Sequence, residues 1–213
     1  MSDLYAAIAE SVISGNIAEI KKLTQQALGQ GDKAQTVLEK GLLPGMNFVG
    51  ERFKVGEMFI PEVLLSARTM SSAMEILRPL LSESEIKGVG TLVIGTVEGD
   101  IHNIGKNLVA MLLEGSGFKV IDLGIDVPSQ KFVDAVKTQK PNIVGLSALL
   151  TTTMPKMKEV IESLVEAGLR KSVKVLVGGA PVTEKFARDI GADVYAPNGG
   201  EAIAKAKALL AQG

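Results

Sequence analysis

The strongest constraint on the fold is a regular alternation of short apolar runs with amphipathic segments after Gly88. Runs such as LVIG and NIVGL are apolar at successive positions, which is typical of strands that are covered on both faces. The predicted strands cover residues 90–97, 118–123, 142–148, 173–178 and 193–196. The predicted helices that follow them lie near residues 105–115, 129–139, 154–168, 183–190 and 200–211. This order predicts a doubly wound α/β domain with a five-stranded parallel sheet.

The loops at one edge of this sheet are the expected ligand-binding region. Right-handed crossovers bring the carboxyl ends of parallel strands to the same edge, and open α/β sheets bind ligands there. The loops on that edge are residues 98–104, 124–128, 149–153, 178–182 and 195–200. The first of them contains His102, the single histidine of the chain.

Apolar residues before residue 82 recur at helical spacing, in stripes that begin at Leu4, Leu38 and Val63. Glycine- and proline-containing interruptions between the stripes predict four helices packed as a small bundle. Asn16 and Asp32 are expected to be N-caps, and Pro61 is expected in a first helical turn.

Two further features divide this helical half. Pro44-Gly45 falls within the third predicted helix, so we expect a kink or a short break there. The polar stretch SESEIKG, residues 82–88, is typical of a linker. The expected organisation is a helical domain over residues 1–86 followed by the α/β domain over residues 87–213.

Composition excludes several classes of function. Lys and Arg number 23 against 24 acidic residues, so the charge gives no reason to expect nucleic acid or an anionic membrane as a partner. The N-terminus does not resemble a signal peptide and no apolar stretch is long enough to span a bilayer, so a cytoplasmic protein is expected. Cysteine is absent, which excludes disulfides, thiolate metal sites and cysteine nucleophiles.

The stretch GDIHNIGKN, residues 99–107, carries the expected chemistry of the first edge loop. Its spacing fits neither the phosphate-binding loop, which needs a serine or threonine after Gly-Lys, nor the G-x-G-x-x-G dinucleotide fingerprint. Asp100 is close enough in sequence to orient the His102 imidazole and make its other nitrogen a better metal ligand. One histidine cannot hold a bare metal ion, so the metal would have to arrive in a macrocycle that needs one axial ligand. A general base or a helix-capping histidine remains the alternative on these residues alone.

The same stretch resembles the D-x-H-x-x-G signature of cobalamin-binding domains, and the match continues through GDIHNIGKNLVAMLLEGSGFKVIDLG. The resemblance implies a Rossmann-like, flavodoxin-like cobalamin-binding domain. It also implies a corrinoid bound base-off and His-on, with His102 as the lower axial ligand of cobalt and Asp100 as its hydrogen-bond partner. Gly105 would leave room for the nucleotide tail. The remaining loop residues that the resemblance assigns to cofactor binding are Gly99, Ile101 and Asn103.

Three later segments on the same edge also resemble this family. LSALLTTTM, residues 146–154, is similar to the S-x-L-x-T segment and implies tail contacts from Ser147, Leu149 and Thr151, with Thr153 completing a relay to Asp100 and His102. VGGAPVT, residues 177–183, is similar to the paired glycines that line the tail slot. YAPNGGEA, residues 195–202, is similar to the closing segment. The residues that these two segments imply are Gly178, Gly179, Tyr195, Ala196, Asn198 and Gly199.

Residues 39–70 resemble the helical cap of corrinoid proteins in methyltransferase systems and of cobalamin-dependent methionine synthase. In such a cap, Glu39 would contact the corrin periphery, and Phe53 and Ile60 would shield the upper axial methyl group. Met70 is either a neighbour of that face or a residue of the bundle core, and its helical spacing favours the core.

The resemblance implies a methyl carrier that is not catalytic alone. It would need a substrate-specific methyltransferase to load it, a second methyltransferase to unload it and a reductive activator, because the chain shows no machinery for activating a methyl donor. The cap would have to open about the linker near residues 82–90. Two alternatives share the signature: the cobalamin-binding subunit of a mutase and a cobalamin-responsive regulatory module. The helical cap argues against the first, and the lack of a basic DNA-reading helix before it argues against the second.

Overall fold

The computed structural model describes residues 2–81 and 90–211. Their contacts divide them into two compact units. One contains the helices before residue 82 together with Met111–Phe118, and the other contains the remaining elements. The linker expected at residues 82–88 lies outside the described residues, and the expected domain boundary at residue 86 therefore stays a prediction.

Residues 2–81 form the four helical stretches that the apolar spacing predicts. They are Ser2–Ile13, Ile17–Gly29, a continuous path through Ala34–Val37, Leu38–Leu42 and Leu43–Lys54, and Ile60–Leu77, which a 3₁₀ turn at Arg78–Leu80 extends. Side chains from every stretch are fully buried, as the predicted stripes require: Ile8, Val12, Ile20, Val37, Leu42, Met46, Val49, Val63, Met70 and Leu77. Their burial supplies most of the stabilisation of these helices, since short isolated helices are marginal in water.

Two of the three predicted helix starts are confirmed and one is wrong. The Asn16 side chain accepts a hydrogen bond from the Glu19 amide at 3.1 Å, and Pro61 is the second residue of its helix. The third helical path begins at Ala34, with Lys33 rather than Asp32 at the N-cap position and no side-chain cap. The Asp32 side chain instead lies close to Tyr5 of the first helix, where burial and the Asp32 carboxylate together raise the pKa of the Tyr5 hydroxyl.

Pro44 changes the type of helix without interrupting it. The chain stays helical from Ala34 to Lys54, so the short break considered from the sequence does not occur. Instead Leu38–Leu42 forms a π-helical turn in which the Leu43 amide donates to the Leu38 carbonyl, five residues earlier. A proline cannot donate to the carbonyl four residues before it and its ring crowds that carbonyl, so a widened turn just ahead of Pro44 accommodates both effects.

Residues 90–211 contain the predicted five-stranded sheet. The strands are β1 (Gly90–Thr96), β2 (Phe118–Asp122), β3 (Ile143–Ser147), β4 (Lys174–Gly178) and β5 (Val194–Ala196), in the order β2-β1-β3-β4-β5. The pairs β1–β3, β3–β4 and β4–β5 are parallel. This order is the flavodoxin-like doubly wound one, in which the strand order reverses between β1 and β3.

The helices of residues 90–211 also lie where the sequence predicts them, within two residues at each end. They are Ile104–Gly115, Ser129–Gln139, Met154–Glu166, Glu184–Asp189 and Gly199–Ala211. The second and third of them pack their apolar faces on the sheet, where Phe132, Met157 and Leu164 are fully buried in one cluster with Val144 and Val175. This packing leaves the carboxyl ends of the strands as the region where polar groups can converge.

Candidate functional site

The sheet register places four residues of interest in one row at its carboxyl edge. Thr96 of β1 is opposite Ser147 of β3, Ser147 is opposite Gly178 of β4, and Gly178 is opposite Ala196 of β5. Sequence reasoning assigned the last three of these to cofactor binding. The structure brings them side by side, because parallel strands of matching register end together.

Asp100 holds a buried carboxylate at the centre of this edge. Asp100 is 0% exposed, and its Oδ2 atom accepts hydrogen bonds from the Leu149 amide at 2.7 Å and the Thr153 hydroxyl at 2.7 Å. The Leu150 amide lies 3.3 Å from the same oxygen. These donors belong to the loop that follows β3, so the Asp100 side chain ties the first edge loop to the third.

The other oxygen of Asp100 fixes His102. Oδ1 accepts a hydrogen bond from the His102 amide at 3.0 Å and lies 2.8 Å from Nδ1 of the imidazole. Because an ionised carboxylate only accepts, the Nδ1 atom must carry the proton. The Nε2 atom then keeps its lone pair, and the side chain is 45% exposed, so Nε2 is available to a ligand.

The environment of Asp100 keeps it ionised. Burial on its own would raise the pKa of this carboxyl, but the hydrogen bonds from the His102 and Leu149 amides, the Thr153 hydroxyl and the His102 ring outweigh it. The pKa of Asp100 therefore lies well below its usual range. The carboxylate is a permanent acceptor for the His102 ring at neutral pH.

Four further contacts support the His102 loop and were not predicted from the sequence. The buried Thr96 hydroxyl donates to the His102 carbonyl at 2.9 Å. The Asp126 side chain accepts from the Gly99 amide at 2.7 Å, and its own amide donates to the Asp100 carbonyl at 3.0 Å. The buried Lys106 ammonium pairs with Asp122. Only their position in the sequence could have indicated these partners, because Thr96 ends β1, Asp122 ends β2 and Asp126 lies in the loop after β2.

Large apolar side chains surround His102 in sequence and remain exposed. Ile101 is 69% exposed and Ile104 is 85% exposed, on either side of the histidine. Leu149 and Leu150, whose amides contact Asp100, are 44% and 41% exposed. Exposed apolar side chains that cluster at a ligand-binding edge are typical of a surface that an apolar face of a ligand covers.

Gly105 and Gly179 at this edge differ in what a side chain would meet at their positions. A Cβ atom on Gly105 would meet no heavy atom within 4 Å, so the residue borders open space. Gly179 has a φ of +137° and a Cβ atom there would lie 1.8 Å from the Ala148 carbonyl oxygen, so the β3 and β4 loops could not approach each other with a side chain present. Gly178 is the milder case, with the Ala196 carbonyl oxygen 3.0 Å from an added Cβ.

Two family models together match most of the chain. The model described as "B12 binding domain" matches residues 90–207, and a second model with the same description matches residues 4–78. The chain belongs to the B12-binding family.

Relatives of this family member match nearly its whole length. Dimethylamine corrinoid protein 1 of Methanosarcina acetivorans is 45% identical over 98% of each chain, and trimethylamine corrinoid protein of Methanosarcina barkeri is 44% identical over 98% of this chain and 97% of its own. Among solved structures, the methanol:cobalamin methyltransferase complex of Methanosarcina barkeri matches with a TM-score of 0.89, 33% identity, and coverage of 99% of this chain and 81% of that chain. A cobalamin-binding protein from Desulfitobacterium hafniense matches with a TM-score of 0.81, 36% identity, and coverage of 96% and 98%.

The residues of this B12-binding protein fit a corrinoid better than a bare metal ion. Among residues 2–81 and 90–211 no group of three or more His, Asp or Glu side chains could hold a metal ion. One oriented imidazole, exposed apolar side chains beside it and open space at Gly105 suit a metal that a flat macrocycle already holds.

In the same described part of the chain, no helix has the length and apolar character to cross a bilayer.

The remaining predicted site residues of the α/β unit are placed as follows. Asn103 and Thr151 are exposed, and Ser147 and Tyr195 are half-buried. Lys205 donates to the Tyr195 carbonyl at 2.7 Å, which holds the closing segment to the last helix. The Asn198 side chain accepts from the Glu201 amide at 2.9 Å, so it caps that helix, and the buried Gly199 is the first residue of the helix. Asn198 therefore has a structural role that is independent of any ligand.

The predicted residues of the helical unit lie on different parts of it. Glu39 stands in the π-helical turn, is exposed and accepts a hydrogen bond from the Gln35 side-chain Nε2 at 2.9 Å. Phe53 is half-buried at the end of the third helical path, and Ile60 is 49% exposed at the start of the fourth helix. Met70 is fully buried, as the core reading of its spacing requires.

Proposed function

We propose that this protein is a corrinoid methyl carrier, loaded by a substrate-specific methyltransferase and unloaded by a second methyltransferase. The observation that carries the proposal is the 2.8 Å contact between Asp100 Oδ1 and His102 Nδ1, which leaves Nε2 as a free donor atom on an exposed ring. Similarity over 98% of the chain to dimethylamine and trimethylamine corrinoid proteins supports the methyl-carrying branch and does not favour a mutase subunit or a regulator.

His102 and its partners would control the lower face of the cofactor. A bound corrinoid supplies a cobalt centre that can accept and release a methyl group. His102 Nε2 would hold the base-off cofactor as the lower axial ligand, and Asp100 holds the ring in the required tautomer. The Asp100 carboxylate would keep this contact to Nδ1 both when Nε2 ligates the cobalt and when it does not. The Thr153 hydroxyl, at 2.7 Å from Asp100 Oδ2, extends this relay away from the ring.

The remaining predicted residues would line the cofactor. We assign the corrin and its nucleotide tail to the first, third, fourth and fifth edge loops, and the upper face to the helical domain over residues 1–86. The assigned residues are Gly99, Ile101, Asn103, Gly105, Ser147, Leu149, Thr151, Gly178, Gly179, Tyr195, Ala196, Asn198 and Gly199 below, with Glu39, Phe53 and Ile60 above. In this proposal the helical domain opens to admit each partner enzyme, and the α/β domain over residues 87–213 carries the cofactor.

The methyl donor in this proposal is a methylated amine. The relatives that support it are named for dimethylamine and trimethylamine and are 44–45% identical, whereas the chain of the methanol complex is 33% identical. A reductive activator would restore the cofactor after oxidation, and the whole system would operate in the cytoplasm.

The ligation can be tested without a mutation, because His102 is the single histidine of the chain. The protein is reconstituted with hydroxocobalamin, desalted, reduced to Co(II) and studied by electron paramagnetic resonance, with unlabelled and with [¹⁵N]histidine-labelled protein. Ligation by His102 predicts that the nitrogen superhyperfine triplets become doublets on labelling. Triplets that persist would show that the benzimidazole of the cofactor, and not His102, binds the cobalt.

The carrier role needs a separate measurement. Protein loaded with methylcobalamin is mixed with a candidate amine methyltransferase or with a second methyltransferase, and the methyl group is followed in both directions. The His102→Ala variant is measured in parallel, and its methyl transfer should be slower than that of wild type. A wild-type protein that is colourless after desalting would refute the proposed function.

A further inference from the structure

Lys106 occupies a position that its charge disfavours. It is the third residue of the Ile104–Gly115 helix, where the helix dipole is positive, and its side chain is 1% exposed. Its ammonium contacts the Asp122 carboxylate at the end of β2 and the Asn107 side-chain oxygen, the latter at 2.8 Å. A buried ammonium needs such partners, and they tie the start of this helix to β2.

Asp122 also holds the loop that follows it. Its Oδ1 atom accepts from the Gly124 amide at 2.8 Å. Two residues later Asp126 adopts a positive φ of 50°, which aspartate tolerates better than most residues. In that conformation its side chain accepts from the Gly99 amide at 2.7 Å and its amide donates to the Asp100 carbonyl at 3.0 Å.

Both ends of residues 99–106, the segment that carries His102, are therefore attached to β2 or to the loop that follows it. Asp126 holds residues 99 and 100, and Asp122 holds Lys106, while the Asp100 carboxylate holds the middle from the β3 side. Asp122 lies on the strand that flanks β1 on the side away from β3, β4 and β5. This attachment leaves the side with Ser147, Gly178 and Ala196 free for a ligand.

We infer that Lys106, Asp122 and Asp126 form a positioning device, the β2-side brace, that holds the His102 loop so that Asp100 keeps the His102 ring in one tautomer and orientation, without touching the cofactor. The brace rests on the proposed function for its cofactor measurement, but its effect on the ring exists in the protein alone. Removing the hydrogen-bond partner of a metal-ligating histidine, here Asp100, typically changes metal affinity by about 10- to 100-fold, and the brace acts through that partner.

Two matched pairs of variants test the brace. Lys106→Met removes the ammonium but retains the volume, and Asp122 is 40% exposed, so no buried charge is left unpaired. Lys119→Met removes an exposed lysine of β2 as its control. Asp126→Gly keeps the positive φ free of strain but loses the acceptor, whereas Asp126→Asn keeps both the acceptor and the tolerance of positive φ.

The first measurement is the ¹⁵N nuclear magnetic resonance spectrum of the [¹⁵N]histidine-labelled protein without cofactor. Wild type, Lys119→Met and Asp126→Asn should show the Nδ1-protonated tautomer alone. Lys106→Met and Asp126→Gly should show both tautomers in exchange, with unfolding midpoints that can stay near that of wild type. Cobalamin affinity should fall about 10- to 100-fold in the same two variants.

Wild-type ring spectra in both Lys106→Met and Asp126→Gly would overturn the inference. A change confined to Asp126→Gly would remove Lys106 and Asp122 from the brace. A wild-type protein that binds no cobalamin would refute the proposed function, and the ring spectra would still decide whether the brace positions His102.

Discussion

Replacing Asp100 by asparagine should reverse the tautomer of His102. The carboxylate accepts from donors on both oxygens: the His102 amide and ring at Oδ1, and the Leu149 amide, the Leu150 amide and the Thr153 hydroxyl at Oδ2. An asparagine has one acceptor oxygen and one NH₂ group of nearly the same size. Its oxygen should take the Oδ2 position, where more donors converge, which turns the NH₂ group toward His102.

The cost in stability follows from these contacts. The His102 amide, now 3.0 Å from a nitrogen donor, loses its acceptor, at about 1–3 kcal/mol for an unsatisfied group. The bonds at Oδ2 lose their charge assistance, which is roughly half of their strength. The ring can recover one bond by accepting at Nδ1 from the new NH₂ group, so the net loss of unfolding free energy should be about 2–4 kcal/mol. Because Nδ1 then accepts, Nε2 carries the proton and has no lone pair for a metal.

Urea unfolding of the protein without cofactor measures the first effect, and the ¹⁵N spectrum of labelled His102 measures the second. The pH dependence gives an independent check. The pKa of Asp100 is lowered in the folded state, so its contribution to stability is complete above the unfolded pKa and is lost as the pH falls below about 4. The difference in unfolding free energy between wild type and Asp100→Asn should therefore shrink from pH 7 to pH 3. An Nδ1-protonated ring in Asp100→Asn, or a difference that does not depend on pH, would refute this reasoning.

Three other substitutions separate structural from ligand-binding roles. Gly179→Ala places a Cβ atom 1.8 Å from the Ala148 carbonyl oxygen and should lower the unfolding free energy by about 2–4 kcal/mol, as measured by urea unfolding. An unchanged unfolding midpoint would contradict this prediction. Gly105→Ala meets open space and should raise stability by up to about 1 kcal/mol while weakening cobalamin binding in titrations, and unchanged binding would exclude Gly105 from the tail slot. Phe53→Ala should speed the loss of the methyl group from methylcobalamin-loaded protein in aerated buffer, followed by absorbance, and an unchanged rate would leave Phe53 as a packing residue.

The fold was predictable because each of its elements has a local signal. Strands β1, β3 and β4 contain continuous apolar runs, and each helix after them shows one apolar face, so a short window of sequence identifies each of these elements. The Asp32 prediction failed for the opposite reason. N-cap preference is a local rule, whereas the Asp32 side chain lies close to Tyr5, which is distant in sequence, and the next helix begins without a side-chain cap.

The candidate site was predictable only where one loop carries its chemistry. Asp100 and His102 are two residues apart, so their contact follows from the sequence of the first edge loop. The contact between Thr153 and Asp100 spans 53 residues and followed from family resemblance, since periodicity cannot choose one of three adjacent threonines. Asp126 had no signal of either kind, because its role depends on a positive φ that the sequence does not mark. Long-range contacts that fix an orientation rather than create an element are therefore where a structure adds most to this sequence, and the orientation of His102 depends on several of them at once.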